Sequence, residues 1–301
     1  MLQRLNAAPV QGVSLANVSL LRLDRGGGLA PGNKSFKLQP YFSEASQLGI
    51  RRLVSFGGAW SNHLHALAAL GHERGVETVG IVRSGADEGD TAMLVDARAW
   101  GMELVRVSRT EYRQRHNPDY QRALRERFAP CLLIPEGGAA VAGMEGCREI
   151  GRLIARLAPQ ARRIVVPVGT GTTLAGLACS VGDGVGLYGI SALKGASDLE
   201  QRIEALLRDA ASDSVVDWSI RHDFHCGGFA RTNGGLREFM QAFEAVQGIE
   251  LEPVYTAKML YAIQQLLARG EWQPDTPVLA IHTGGLQGRR GYPWLGSVSS
   301  P

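Results

Sequence analysis

The chain is poor in lysine. Of its 32 basic residues only Lys34, Lys37, Lys194 and Lys258 are lysines, and the other 28 are arginines. Arginine already serves wherever positive charge alone is needed. A retained lysine points to work that a guanidinium cannot do, because an amine can lose its proton and condense with an aldehyde. Lys34, in Gly32-Asn33-Lys34-Ser35-Phe36-Lys37, is the first candidate for that chemistry. A solvated surface lysine is the alternative, and position alone does not choose between them.

Other scarcities exclude whole classes. The four cysteines (Cys131, Cys147, Cys179, Cys226) are far apart and lack C-x-x-C spacing, which argues against a zinc site and a disulfide framework. Reduced thiols and a cytoplasmic setting are the expectation. No apolar run approaches membrane-spanning length. Met1 to Leu20 has Arg4 and scattered apolar residues but no continuous apolar core, so it reads as neither signal peptide nor span. A net charge of +3, with the signs interspersed, makes nucleic acid a poor partner. The paired arginines (Arg51-Arg52, Arg162-Arg163, Arg289-Arg290) read as solvated faces. The cluster His222-Asp223-Phe224-His225-Cys226 matches no standard metal spacing, and no metal is expected.

What is present is alternation. Short buried runs read as strands at 52–56, 78–82, 103–107, 132–134, 163–168, 187–190 and 278–282. Helix-like segments fall at 61–74, 90–100, 110–128, 144–157, from Thr172, and at 198–207, 236–246 and 257–269. The βαβα order predicts an α/β fold: two lobes of parallel or mostly parallel sheet with helices on both faces. The lobes are expected over 1–37 with 149–301, and over 38–148. Ligands in such folds sit at the carboxyl ends of parallel strands, which places the expected site in the cleft between lobes.

The strand-to-helix junctions hold the candidate chemistry. Strand 163–168 runs into Gly169-Thr170-Gly171-Thr172-Thr173-Leu174-Ala175-Gly176. Two glycines allow close backbone approach, and backbone amides with three hydroxyls suit a phosphate. The loop is neither a Walker A sequence nor the full dinucleotide pattern, and a plain helix cap is the alternative. Gly57-Gly58-Ala59-Trp60-Ser61-Asn62-His63 is a second junction. Ser61 or Asn62 caps the helix there in one reading. In the other, Ser61, Asn62 and His63 face a substrate carboxylate. Tyr255, in Pro253-Val254-Tyr255-Thr256, is a core tyrosine or an acid–base group. His282 reads as packed, and Thr283 is the first residue past the last strand.

In this order over most of the chain, these junctions are far more specific than any one alone. The set is Gly32-Asn33-Lys34-x-x-Lys37, Gly57-Gly58-x-x-Ser61-Asn62, Thr170-Gly171-Thr172-Thr173-x-Ala175-Gly176, Pro253-Val254-Tyr255 and His282-Thr283-Gly284-Gly285. It resembles the 1-aminocyclopropane-1-carboxylate deaminase / D-cysteine desulfhydrase family. These are pyridoxal-phosphate enzymes of the tryptophan-synthase-β fold (fold type II), usually homodimers. The resemblance implies pyridoxal 5'-phosphate as cofactor, bound to Lys34 as an imine. It implies Asn62 at the cofactor's phenolic oxygen, Gly169, Thr170, Gly171, Thr172 and Thr173 at its phosphate, and Thr283 at its pyridine nitrogen. Ser61 would lie near the substrate carboxylate and the reacting carbon, and Tyr255 over the site.

The chain also departs from the family. Ring-opening members resemble one another in a Glu after the Pro-Val-Tyr tyrosine and a Leu at the position of Thr283. Here Thr256 and Thr283 are the desulfhydrase-like choices, and Phe229 falls where many members carry a second tyrosine. Leu21 to Arg25 is shortened, and Trp60 is bulky. The resemblance therefore implies β-elimination on a small amino acid, D-cysteine first, giving pyruvate, ammonia and sulfide. Ring opening to 2-oxobutyrate, β-replacement or racemisation, and a non-catalytic small-ligand-binding module are the rivals.

Overall fold

The computed structural model describes residues 1–85, 88–212 and 215–296. The chain opens with β1 (Leu2–Arg4) and β2 (Val18–Arg22), followed by α1 (Asn33–Gln47), β3 (Arg52–Gly58), α2 (Asn62–Arg74), β4 (Glu77–Arg83) and α3 (Ala92–Ala99). Next come β5 (Glu103–Val107), α4 (Arg109–Arg113), α5 (Pro118–Arg127), β6 (Leu132–Ile134) and α6 (Val141–Leu157). The last third holds β7 (Arg163–Val168), α7 (Thr172–Ala178), β8 (Gly186–Ser191), α8 (Leu199–Asp209), β9 (Trp218–Arg221), α9 (Gly234–Gln247), α10 (Thr256–Ala268) and β10 (Val278–His282). Two compact units result: Met1–Gly26 with Cys147–Leu286, and Gly27–Gly146 with the segment from Gln287.

The unit containing Lys34 is built on a four-stranded sheet in the order β5-β4-β3-β6, parallel throughout. Alternate residues of β3 face opposite ways, as strand geometry requires. Leu53 packs with Leu38, Tyr41 and Phe42 of α1 and Leu64 and Leu67 of α2. Val54 and Phe56 pack with Ile81, Tyr112, Leu124 and Phe128. Both faces are covered, which is why these strands read as continuous apolar runs.

The other unit is built on a six-stranded sheet in the order β1-β2-β10-β7-β8-β9. All neighbours are parallel except β1, an antiparallel edge strand on β2. Every residue of β10 is buried. Because β7 and β10 are adjacent and parallel, with Ala280 opposite Val165, the loop after β7 and Thr283 after β10 leave the same edge of the sheet.

Three expectations need correction. The helix expected over 110–128 is two helices, because Pro118 cannot continue α4 and instead starts α5 under an Asn117 cap. The helix carrying Lys34 was not foreseen. Pro40 lies inside α1 and masks its periodicity. Pro40 cannot donate to the Phe36 carbonyl, and it is there that Gly146 of α6 comes close: a Cβ on Gly146 would lie 2.1 Å from that oxygen. The strands β1, β2 and β9 were also missed, each interrupted by a polar residue (Gln3, Ser19 and Ser219).

Candidate active site

The first set of candidate residues surrounds the start of α1 and α2. Gly32 precedes α1 with φ 141°, a value that favours glycine. Lys34 is the second residue of the helix. It is half-buried, and its Nζ lies 3.4 Å from Asn33 Oδ1. One turn on, Lys37 is buried. A Cβ on Gly138 would lie 3.5 Å from Lys37 Cβ and 3.7 Å from His63 Cε1, so Gly138 is the gap that lysine and histidine share.

Ser61 is the N-cap of α2, its Oγ accepting the Leu64 amide at 3.2 Å. The capping role is therefore real, and the hydroxyl proton is still available to donate. Gly57 leaves this serine its space: a Cβ there would fall 2.5 Å from Ser61 Oγ. Asn62 Oδ1 accepts from Gln287 Nε2 at 2.6 Å. That bond orients the amide and leaves Nδ2 as the end that can donate to an anionic oxygen.

His63 does not share the half-exposed surroundings of Ser61 and Asn62. Its ring is buried, with Nε2 2.8 Å from Ser55 Oγ, and Ser55 Oγ donates to the Ile134 carbonyl at 2.9 Å. Burial, together with the charges of Lys34 and Lys37, pushes its pKa down to about 3. His63 is thus a neutral imidazole, and among the described residues its buried Nδ1 has no hydrogen-bond partner.

The second set lies at the edge of the six-stranded sheet. After β7 the chain turns through Gly169 and Thr170 to Gly171, which has φ 85°. A Cβ on Gly171 would sit 2.4 Å from Ile203 Cγ1. Both its conformation and its packing therefore require glycine. Thr170 Oγ1 and Thr172 Oγ1 are 3.0 Å apart, and Thr172 and Thr173 are buried. No acidic side chain interrupts Gly169–Thr173. Tyr255 stands against this loop: a Cβ on Gly169 would meet its Cε1 at 3.0 Å and its hydroxyl oxygen at 3.2 Å. Thr283 is buried directly after β10. Its neighbour His282 is fully buried, with Nε2 donating to the Glu250 carbonyl at 2.9 Å.

Tyr255 is held by a group that sequence reading missed. Glu252 is fully buried. Its carboxylate accepts the amides of Val254 at 2.8 Å, Tyr255 at 2.5 Å and Thr256 at 2.7 Å, and the Thr256 hydroxyl accepts the Glu252 amide at 3.2 Å. This reciprocal cap satisfies the start of α10. Burial pushes the Glu252 carboxyl up despite these amides. A lone Glu before Pro253 offered no signal. Ser55, Gln287 and Lys258 were missed for the same reason, since each acts only through a neighbour distant in sequence.

Known proteins of similar sequence and fold identify the family. Residues 23–284 match the pyridoxal-phosphate dependent enzyme family. A Pyrococcus horikoshii protein provisionally named a 1-aminocyclopropane-1-carboxylate deaminase is 26% identical over 282 residues, covering 91% of this chain and 86% of that protein. A D-cysteine desulfhydrase of Salmonella choleraesuis is 25% identical over 270 residues, covering 84% and 82%. A crystal structure described as an ACC deaminase homologue shares the fold with a TM-score of 0.85 at 24% identity, over 97% of this chain and 91% of that one. The chain belongs to the pyridoxal-phosphate dependent enzyme family. It is a pyridoxal-phosphate-dependent enzyme of fold type II.

The residues present fit that cofactor. A half-buried amine stands beside a buried second lysine, an amide donor is oriented by Gln287, and a loop of threonine hydroxyls and tight glycines carries no acid to repel a phosphate. Among the described residues no helix is long and apolar enough to cross a membrane.

Proposed function

We propose that this enzyme removes the α-proton of a small amino acid and eliminates its β-substituent, with D-cysteine as the first substrate and pyruvate, ammonia and sulfide as products. Bound pyridoxal phosphate supplies the electron sink for the α-carbon. Lys34 is the residue that would carry the cofactor, and its amine would move the α-proton. Asn62 Nδ2 donates to the cofactor's phenolic oxygen, Gly169–Thr173 hold its phosphate, and Thr283 offers a hydroxyl to the ring nitrogen. Ser61 binds the substrate carboxylate and, with Tyr255, serves the proton transfers; Asn62 completes the substrate side, while the buried His63 ring is turned to Ser55.

The observation that carries elimination over ring opening is Phe229. Its ring lies edge-on to Tyr255, with centroids 6.2 Å apart, so at that position the phenol of Tyr255 has a hydrocarbon neighbour where a tyrosine would bring a hydroxyl. Thr256 supports the same choice, because its hydroxyl is engaged with Glu252 and it brings no carboxylate. A cytoplasmic homodimer is the accompanying proposal. Its setting is supported by the four free cysteines and its assembly by family resemblance.

The test is a product assay. The enzyme loaded with pyridoxal phosphate is offered D-cysteine, D-serine and 1-aminocyclopropane-1-carboxylate, and the 2-oxoacids are separated. Pyruvate with sulfide from D-cysteine is expected. Formation of 2-oxobutyrate from the cyclopropane substrate, with no sulfide from D-cysteine, would reverse the assignment.

A further inference from the structure

Lys258 is unusual even among four lysines. It is 1% exposed and sits one turn beyond Tyr255 on α10. Its ammonium donates to the Gly228 carbonyl at 2.7 Å and the Ala192 carbonyl at 3.3 Å. The Gly228 carbonyl belongs to an improbable piece of backbone. Cys226, Gly227, Gly228 and Ala230 have φ of 51°, 100°, 114° and 56°. Cys226 and Ala230 bear side chains, and left-handed conformations cost such residues free energy. The surroundings must therefore hold this turn in place. Between them the turn presents Phe229, a phenylalanine 52% exposed, edge-on to Tyr255 at 65°.

A buried ammonium costs more to desolvate than a neutral donor, and burial drags the Lys258 pKa to about 8 against the opposing pull of Cys226 and Glu252. What a charged donor adds is strength at a carbonyl, since such bonds are roughly twice as strong as neutral ones. That strength falls on the turn behind Phe229.

We propose that Lys258 is a positioning residue and Phe229 a specificity-determining one. The Lys258 ammonium anchors the turn Cys226–Ala230 to the helix bearing Tyr255, and the anchored Phe229 ring gives the substrate an apolar, polarizable face that favours a sulfur substituent over a hydroxyl. The proposal rests on the reading of Tyr255 as an active-site group. Sulfur packs well against aromatic edges, an effect worth roughly two- to tenfold in discrimination, whereas a hydroxyl against the same ring loses water without gaining a partner.

Two measurements test this. In the cofactor-free chain, hydrogen exchange read by mass spectrometry compares wild type with Lys258→Met. Faster exchange over 226–230, with β7 unchanged, is expected; no change overturns the anchor whatever the activity. In the loaded enzyme, the ratio of kcat/KM for D-cysteine to that for D-serine is compared in wild type, Phe229→Ala, Lys258→Met and the double variant. Phe229→Ala should lower the ratio roughly two- to tenfold, mainly through KM for D-cysteine. Lys258→Met should lower it similarly, and the double variant no further than Phe229→Ala alone. Unchanged ratios, or losses that multiply in the double variant, overturn the proposal. Should Lys258→Met not fold, Lys258→Gln, which keeps a neutral amide donor but loses the charge, serves in its place, and the half-exposed Phe229 tests the specificity half by itself. Loosened exchange with no turnover of either substrate would uphold the anchor and overturn the specificity half along with the proposed reaction.

Discussion

The ring of His63 is fixed by Ser55: Nε2 and Oγ are 2.8 Å apart and both side chains are buried. Serine has one hydroxyl proton and directs it at the Ile134 carbonyl. The imidazole must then supply the proton of the His63–Ser55 bond, and Nδ1 keeps its lone pair. Lys34 and Lys37 favour that arrangement, because a ring nitrogen near two ammonium groups is better off as an acceptor than as a cation.

This pair predicts a pH dependence of stability. The folded pKa of His63 is depressed to about 3 from an ordinary 6.5. The unfolded chain therefore binds the extra proton between those values, and stability falls as pH drops below about 6.5. The contribution is about 1.4 kcal/mol per pH unit in the middle of that window and vanishes above it. Denaturant titrations of wild type and His63→Gln from pH 4 to 8 should differ in slope by that amount on the acid side and run parallel above pH 7. Equal slopes throughout would mean that His63 is protonated in the native state.

Glu252 should be a costly carboxylate to remove. Glu252→Ala leaves the amides of Val254, Tyr255 and Thr256 without their acceptor in a buried site. The expected loss is on the order of 3 kcal/mol, measured by chemical denaturation. Glu252→Gln keeps one carbonyl acceptor and should lose less. Because the cap sets the Tyr255 backbone, turnover should fall in both variants while cofactor absorbance persists.

Gly171→Ala should separate the phosphate loop from the rest of its unit. The added Cβ meets Ile203 at 2.4 Å and must adopt φ 85°, costing roughly 1–3 kcal/mol. Cofactor affinity, titrated by absorbance, should weaken at least tenfold. Binding as tight as wild type would show that the phosphate is held elsewhere.

Much of this architecture was legible in the chain because its sheets are buried on both faces. Strands β6, β7 and β10 carry unbroken apolar runs (132–134, 164–168 and 278–281) and occur where those runs lie. The junctions after them were legible as turns and helix starts, since glycine, threonine and serine at a strand end favour both. Helix α1 was hidden by Pro40, although it carries Lys34, and strands β1, β2 and β9 are each interrupted by a polar residue (Gln3, Ser19 and Ser219), so no apolar run marks them. The supporting groups were hidden for a different reason. Ser55, Glu252, Lys258 and Gln287 have unremarkable neighbours in sequence, and their partners are brought to them only by the fold. His63 read as a substrate-facing residue from its place beside Asn62, but one step along a helix turns a side chain by about 100°, and here it turns the ring to Ser55.

The central claim is that Lys34 is the lysine that holds the cofactor, and a chain with four lysines lets it be tested directly. The enzyme loaded with pyridoxal phosphate is reduced with borohydride, digested and mapped by mass spectrometry. The account predicts the reduced adduct on Lys34 alone, and loss of both adduct and visible absorbance band in Lys34→Ala. An adduct on Lys37, Lys194 or Lys258 in the wild-type protein, or an undiminished band in Lys34→Ala, would contradict it.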